Sequence, residues 1–328
     1  MVNPKQSGNQ SANLSGNQSV NLSGNLSGVL PFVIDAGPGR QAAIRGRLAR
    51  MDDVVNAILG RHNYPDAMAK LAAEAVVLAS CLASTMTYDG IFSLQAKGDG
   101  IVNTLLADVT TDGSTRGYMG YDQDANLDHI DTDSNSPAPM MQLMGGGHLA
   151  FTVDQGKKGR YQGIVPIEAQ AITDVALRYF RDSEQIDTAL MLAADIQDDG
   201  WHATGLLLQR IPETGGNYDD VLPMGDVEED IWHTACTLMA TCERREMLDP
   251  ALAPEMLVHR LFHELDARLL PWRMRRDECR CSSERAEQII ASLSDEEKSD
   301  LANEDNQLVM SCEFCKSEWV WDVAPNNA

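Results

Sequence analysis

The chain has 328 residues, 43% of them hydrophobic and 5% aromatic, and a formal net charge of −23. That length can bury one large core and a small second domain, while the acidic balance argues against a nucleic-acid backbone or an anionic membrane as partner, since both recruit Lys and Arg surfaces. No run of about 18 apolar residues occurs, so no transmembrane helix is expected; the N-terminus lacks the apolar core of a signal peptide, so the expected location is cytoplasmic, where thiols stay reduced.

Residues 1–29 read as a disordered, low-complexity tail. From Asn9 the chain repeats NQSA, NLSG, NQSV, NLSG and NLSG, tetrads that bury too little apolar surface to offset chain entropy. Their Asn-x-Ser steps at Asn9, Asn13, Asn17, Asn21 and Asn25 would need a secretory route to be glycosylated. Order is expected from near Leu30, with an early strand or extended arm over 31–47 around Gly37-Pro38-Gly39. Leu48, Met51, Val54, Val55 and Ile58 predict a helix over 48–61. The Ala-rich stretch 65–86, apolar nearly all round, predicts a buried helix carrying Cys81.

The period then changes. Asp89-Gly90, Asp99-Gly100 and Asp112-Gly113 punctuate β-rich runs at 91–96, 101–109 and 115–121, the pattern of an antiparallel meander. A loop over 122–147 becomes Met-rich at 139–144. Strands at 149–153 and 161–165, an amphipathic helix over 167–181, and a strand pair at 190–195 and 202–210 complete an α+β core domain over 30–212.

Residues 213–276 read as a helical linker region. Gly215, Gly216, Pro223 and Gly225 mark its start, and Asp226 with Glu229 suggests a helix cap. Ile231, Ala235, Leu238, Met239 and Cys242 share one face of a first helix, and Asp249-Pro250 breaks the run. Leu257, Leu261, Leu265 and Leu269 stripe a second helix, ended by Pro271. Its marginal apolar stripe, like that of the first, would let it melt when its neighbour does, offering Leu/Met surface together with the 139–144 loop.

Four of the seven cysteines fall in the last domain, 277–328, as Cys279-Arg280-Cys281 and Cys312-Glu313-Phe314-Cys315. So short a segment needs a staple in place of a core. Two closely spaced cysteine pairs are the donor set of a tetrahedral zinc site, with Cys279, Cys281, Cys312 and Cys315 as ligands. Between them Ala286, Ile289, Ile290 and Leu293 give a helix an apolar face, Ser294 with Glu297 forms a capping box, and Trp319-Val320-Trp321 reads as a strand edge over the site. Four thiolates leave no open position for a catalytic metal. Residues 278–328 carry four Lys/Arg against twelve Asp/Glu, which disfavours a nucleic-acid ribbon. At this point a permanent zinc staple and a redox switch both stand.

Other signals carry less. His259 and His263 lie four apart on a helix, with no further motif to complete a metal site; residues 144–147 match no phosphate loop; Cys236 and Cys242 read as packing residues. No nucleophile–base constellation is evident, so no enzyme is expected.

The C-x-C, the Ser282-Ser283-Glu284-Arg285 step, the acidic turn Asp295–Glu297 and the C-x-x-C with an aromatic inside it resemble the C-terminal domain of the redox-regulated 33 kDa chaperonins, the heat-shock protein 33 family. Upstream, Tyr88-Asp89-Gly90, Gln95 with Gly98-Asp99-Gly100, Arg160-Tyr161-Gln162-Gly163, Tyr179-Phe180 with Ser183-Glu184-Gln185, and Leu206–Gln209 resemble family signatures in the same order. Some members carry a further cysteine after the Glu-Arg step, where this chain has Ala286. The resemblance implies a holdase that binds unfolding client proteins under oxidative stress. One zinc per chain would be held in the inactive, reduced state. Oxidation would form Cys279–Cys281 and Cys312–Cys315 disulfides, release zinc, unfold the linker and yield an active homodimer. A constitutive zinc-stapled adaptor for one defined partner is the competing class.

Overall fold

A computed structural model describes residues 27–36, 42–131, 133, 135–211 and 226–322. The tetrad repeat up to residue 26, the Gly37-Pro38-Gly39 stretch, the glycines and proline of 213–225 and the side chains of Asp226 and Glu229 lie outside the described residues. Ser27 is buried, and the first strand starts at Gly28, two residues before Leu30.

In chain order the elements are β1 (Gly28–Asp35), β2 (Ala42–Arg50), α1 (Asp52–Leu59), α2 (Asp66–Ala83), β3 (Ile91–Gly98), β4 (Val102–Thr110), β5 (Ser114–Tyr121), α3 (Met140–Met144), β6 (Gly147–Asp154), β7 (Arg160–Pro166), α4 (Ile172–Tyr179), β8 (Thr188–Gln197) and β9 (Gly200–Arg210). There follow α5 (Asp226–Ala240), α6 (Arg244–Met247), α7 (Pro254–Phe262), β10 (Arg268–Leu269), β11 (Arg273–Met274), β12 (Arg276–Asp277), α8 (Ser283–Ser292), α9 (Asp295–Leu301), β13 (Gln307–Ser311) and β14 (Glu318–Asp322). This is the α+β class, with antiparallel pairing throughout except where β12 runs parallel to β5.

The architecture is layered around α2. One sheet has the order β10-β1-β2-β9-β8, with β11 also on β1; the other has the order β12-β5-β4-β3-β6-β7. Helix α2 lies between them, and all its residues after Asp66 are buried, as expected of a helix apolar nearly all round. The first sheet is apolar on both faces. Val29, Ala203 and Leu207 face α2; Leu30, Phe32, Ile34, Leu206 and Leu208 face the other way, onto α5, α6 and α7. That two-sided burial explains the unbroken Leu206-Leu207-Leu208 run. The outer layer is anchored by Phe32, whose ring stacks on Phe262 of α7 at 5.5 Å. A Cβ at position 46 would sit 2.1 Å from the Phe32 ring, so the backbone of β2 must be glycine there.

Several expectations change. The helix expected over 48–61 is α1 alone, because Leu48 continues β2 to fill the outer layer. The Met-rich stretch is not a surface loop: Met140 and Met144 are fully buried on α3, so their plasticity serves the core. The helix expected from 167 begins at Ile172 and ends in a π turn at Phe180–Glu184. The second linker helix stops at Phe262, and Leu269 is exposed in β10 rather than on a helical stripe. The linker region is thus helical only in part: 268–277 runs extended, Asp266 turns the chain at φ 49°, and β10, β11 and β12 complete the edges of both sheets.

Candidate metal centre

β12 leads straight into the first cysteine pair. Glu278 N donates to Thr115 O at 3.1 Å, extending the pairing with β5 to the residue before Cys279. Arg61 holds the same segment with a two-pronged ion pair to Asp277, at 2.6 and 2.7 Å. After Cys281 the chain enters α8, whose N-terminus is capped by Ser282 Oγ accepting from Arg285 N. The capping box expected at Ser294 and Glu297 forms and starts α9. The second pair sits in the turn of the β13–β14 hairpin, between Ser311 and Glu318 in register. Lys316 takes a left-handed φ of 58° and donates its N–H to Cys312 O at 2.8 Å, which curls both sulfurs inward.

The four sulfurs meet. All lie within 4.8 Å of one another, each on a half-buried residue. Cys281 Sγ and Cys315 Sγ are 3.3 Å apart, Cys279 Sγ and Cys312 Sγ 3.7 Å. A tetrahedral site with metal–sulfur bonds of about 2.3 Å has edges of about 3.8 Å, so this donor set fits one metal ion. Burial raises the Cys281 and Cys312 thiols, and the adjoining sulfurs add to it. Cys315 departs from them. Burial pushes it up too, but the bonds with Ser317 and with the neighbouring thiols bring it down to about 6. One ready thiolate among crowded thiols is the setting in which a metal displaces the remaining protons.

The small domain has little core of its own. Among its described residues only Ala286 and Leu308 are buried apolar side chains. The apolar face expected on α8 is buried only in part: Ala286 is covered, Ile290 and Leu293 are half-buried, and Ile289 is 53% exposed. What holds the domain, besides the sulfurs, is a docking contact with the outer face of β4 and β5. Arg280, between the first two cysteines, donates to Asp108 Oδ2 at 2.6 Å. The same carboxylate accepts from Arg116 at 2.8 and 3.0 Å and from Ser93 Oγ at 2.6 Å, and is 3% exposed. Phe314, between the second two, lies beneath Arg116 with the guanidinium carbon 3.8 Å from the ring centroid. Tyr118 flanks it at 5.9 Å, and His62 Nε2 is 3.2 Å from Phe314 O.

Apart from the aromatic in the C-x-x-C, none of these contact residues stood out in the sequence. Asp108 and Arg116 sit at outward positions of alternating strands, where a polar residue is unremarkable. Arg280 offered one signal, being one of only four cations in an acidic segment. The other cysteines behave as packing residues: burial pushes Cys81 up to about 12 and Cys236 and Cys242 up to about 11. His259 and His263 have rings 5.5 Å apart, and His263 Nδ1 is 3.1 Å from the His259 carbonyl; among the described residues the four cysteines form the only metal-competent cluster.

Fold and site together define an α+β protein with two sheets packed about a buried helix and a cluster of four cysteines able to hold a metal ion. The sequence profile of the family described as Hsp33 protein matches residues 38–322, and the chain belongs to that family. It is 33% identical over 294 residues to a 33 kDa chaperonin of Caulobacter vibrioides, covering 88% of this chain and 94% of the relative. To the 33 kDa chaperonin of Pseudomonas fluorescens it is 34% identical over 281 residues, covering 85% and 87%. The crystal structure of the 33 kDa chaperonin from Thermotoga maritima shares the fold, with a TM-score of 0.72, 19% identity, and coverage of 90% of this chain and 95% of that one. The family is one of chaperones. No helix among the described residues is long and apolar enough to cross a membrane.

Proposed function

We propose that the protein is a cytoplasmic, redox-regulated holdase without enzymatic turnover, which binds unfolding client proteins rather than nucleic acid or membrane. The observation that carries this reading is the convergence of four sulfurs within 4.8 Å in a domain with almost no core of its own. In the reduced state Cys279, Cys281, Cys312 and Cys315 hold one Zn²⁺, which when bound keeps the sulfurs as thiolates and staples the small domain. Oxidation by a peroxide removes two electrons per disulfide, forming Cys279–Cys281 and Cys312–Cys315 and leaving no thiolate donors for the metal. The intra-pair connectivity rests on the family resemblance; sulfur contacts of 3.3 and 3.7 Å also run between the pairs.

Once the donors are gone the small domain unfolds, since a metal-held fold loses its folding free energy with its metal. The consequence travels through 268–277. That segment links the cysteines to α5–α7 and lends short strands to both sheets. Its release loosens α5–α7 from Leu30, Phe32, Ile34, Leu206 and Leu208, an apolar face broad enough to receive client segments. The homodimer expected of the oxidised form follows from the resemblance. The test is direct. Peroxide with mild heat is expected to release about one zinc per chain and to switch on suppression of client aggregation, followed by light scattering. Equal suppression in reductant and oxidant would sink the switch and favour the constitutive zinc-stapled adaptor.

A further inference from the structure

The docking contact of Phe314 has the form of a ligand in a site. Arg116, Tyr118 and His62 all belong to the large core; the ring they receive belongs to the small domain. The cradle is built independently of its occupant. Asp108 fixes the edge of the Arg116 guanidinium by two hydrogen bonds and leaves its face free for a ring. His62 is stacked on Tyr64, centroids 4.9 Å apart and planes 7° from parallel. Tyr64 is held in turn by accepting from Met119 N at 2.9 Å. The occupant contributes an aromatic face to Arg116 and its own main-chain carbonyl to His62. Every phenylalanine in an extended chain can present both.

Resting on the holdase reading, we propose that this cradle on the outer face of β5 is a client site for phenylalanine-type residues of unfolded segments, and that Phe314 fills it as an internal pseudo-ligand. The site discriminates by chemistry. Folded proteins bury their phenylalanines, so an exposed one reports unfolding. Leucine would fill part of the volume but offers no quadrupole to the guanidinium. Undocking of the small domain vacates the cradle in the same event that frees the linker.

The experiment uses the full chain in reductant with its zinc retained, so that no oxidation is involved. A fluorescein-labelled Gly/Ser peptide carrying one Phe is titrated and followed by anisotropy. Phe314→Ala is expected to bind it about ten-fold more tightly than the unaltered chain, the scale set by losing a partly desolvated cation–π contact. The gain should vanish with an Ala peptide, shrink with a Leu peptide, and disappear in the Phe314→Ala/Arg116→Gln double variant. If Phe314→Ala fails to keep its zinc, Phe314→Leu supplies the same comparison. The His62 ring resonance, shifted by the substitution, should move back towards its original position on adding the Phe peptide alone. No gain in either variant, or an equal gain with the Ala and Phe peptides, overturns the proposal. A cradle that binds in a chain indifferent to peroxide would overturn the switch instead, so the two failures are distinguishable.

Discussion

At the residue scale the hinge of the docked state is Asp108, a buried carboxylate shared by Arg116 and Arg280. Asp108→Asn keeps the shape and the bond from Ser93 but leaves two guanidiniums facing a neutral amide. Charged hydrogen bonds of this kind contribute on the order of 2 kcal/mol, and the loss is shared between the β4–β5 pair, through Arg116, and the contact with the small domain, through Arg280. The expected outcome is faster zinc removal by a chelator in reductant, together with some loss of core stability from the Arg116 bonds; an unaltered chelation rate would show that the carboxylate does not hold the small domain. This layer of the site was hidden in the sequence. The cysteines declare themselves through spacing, because two close pairs have few other uses. Asp108 and His62 meet Arg280 and Phe314 from far along the chain; strand alternation says only that Asp108 and Arg116 share a face of the sheet, and nothing in the sequence marks His62, which lies in the turn after α1.

At the element scale the weight falls on α7. Leu257, Val258, Leu261 and Phe262 are buried against the outer face of the first sheet. Phe262→Ala removes the ring that stacks on Phe32 and is expected to cost about 3–5 kcal/mol, the usual range for truncating a core phenylalanine. Because the loss is confined to the outer layer, limited proteolysis should cut 243–270 faster, and client binding in reductant should rise. A uniform loss of stability with no change in cleavage pattern would place the effect in the main core instead. The long elements here were legible: α2 and the meander β3–β5 follow from composition and from Asp-Gly turns. β10, β11 and β12 were not, since two-residue strands have no period and are defined only by the distant strands they join.

At the scale of the whole molecule, the central helix carries an electrostatic liability. Glu74 on α2 is fully buried, and burial raises its carboxyl to about 7, against the opposing pull of Arg244 on α6, 4.0 Å away, and a bond from Ala138 N. A carboxyl raised above its unfolded value binds its proton more tightly in the native state. Its contribution is therefore present below the ordinary value and is lost as pH rises through about 7, on the order of 3 kcal/mol over that window. Denaturant midpoints in reductant should fall between pH 5 and pH 8, and Glu74→Gln should flatten the decline. A variant retaining the full slope would assign it to other groups.

The layered order has a further consequence, in time. Every strand of the first sheet from β1 to β9 precedes the helices that cover its outer face, and the strands β10, β11 and β12 that finish both edges come later still. A ribosome adds about 5–20 residues per second, and domains fold from the N-terminus as they emerge. The interval between completing β9 and delivering β12 is therefore roughly 3–13 s at that rate. Each new molecule is born with its sheet bare and is closed by its own last segments, so an open form is a stage of its biosynthesis.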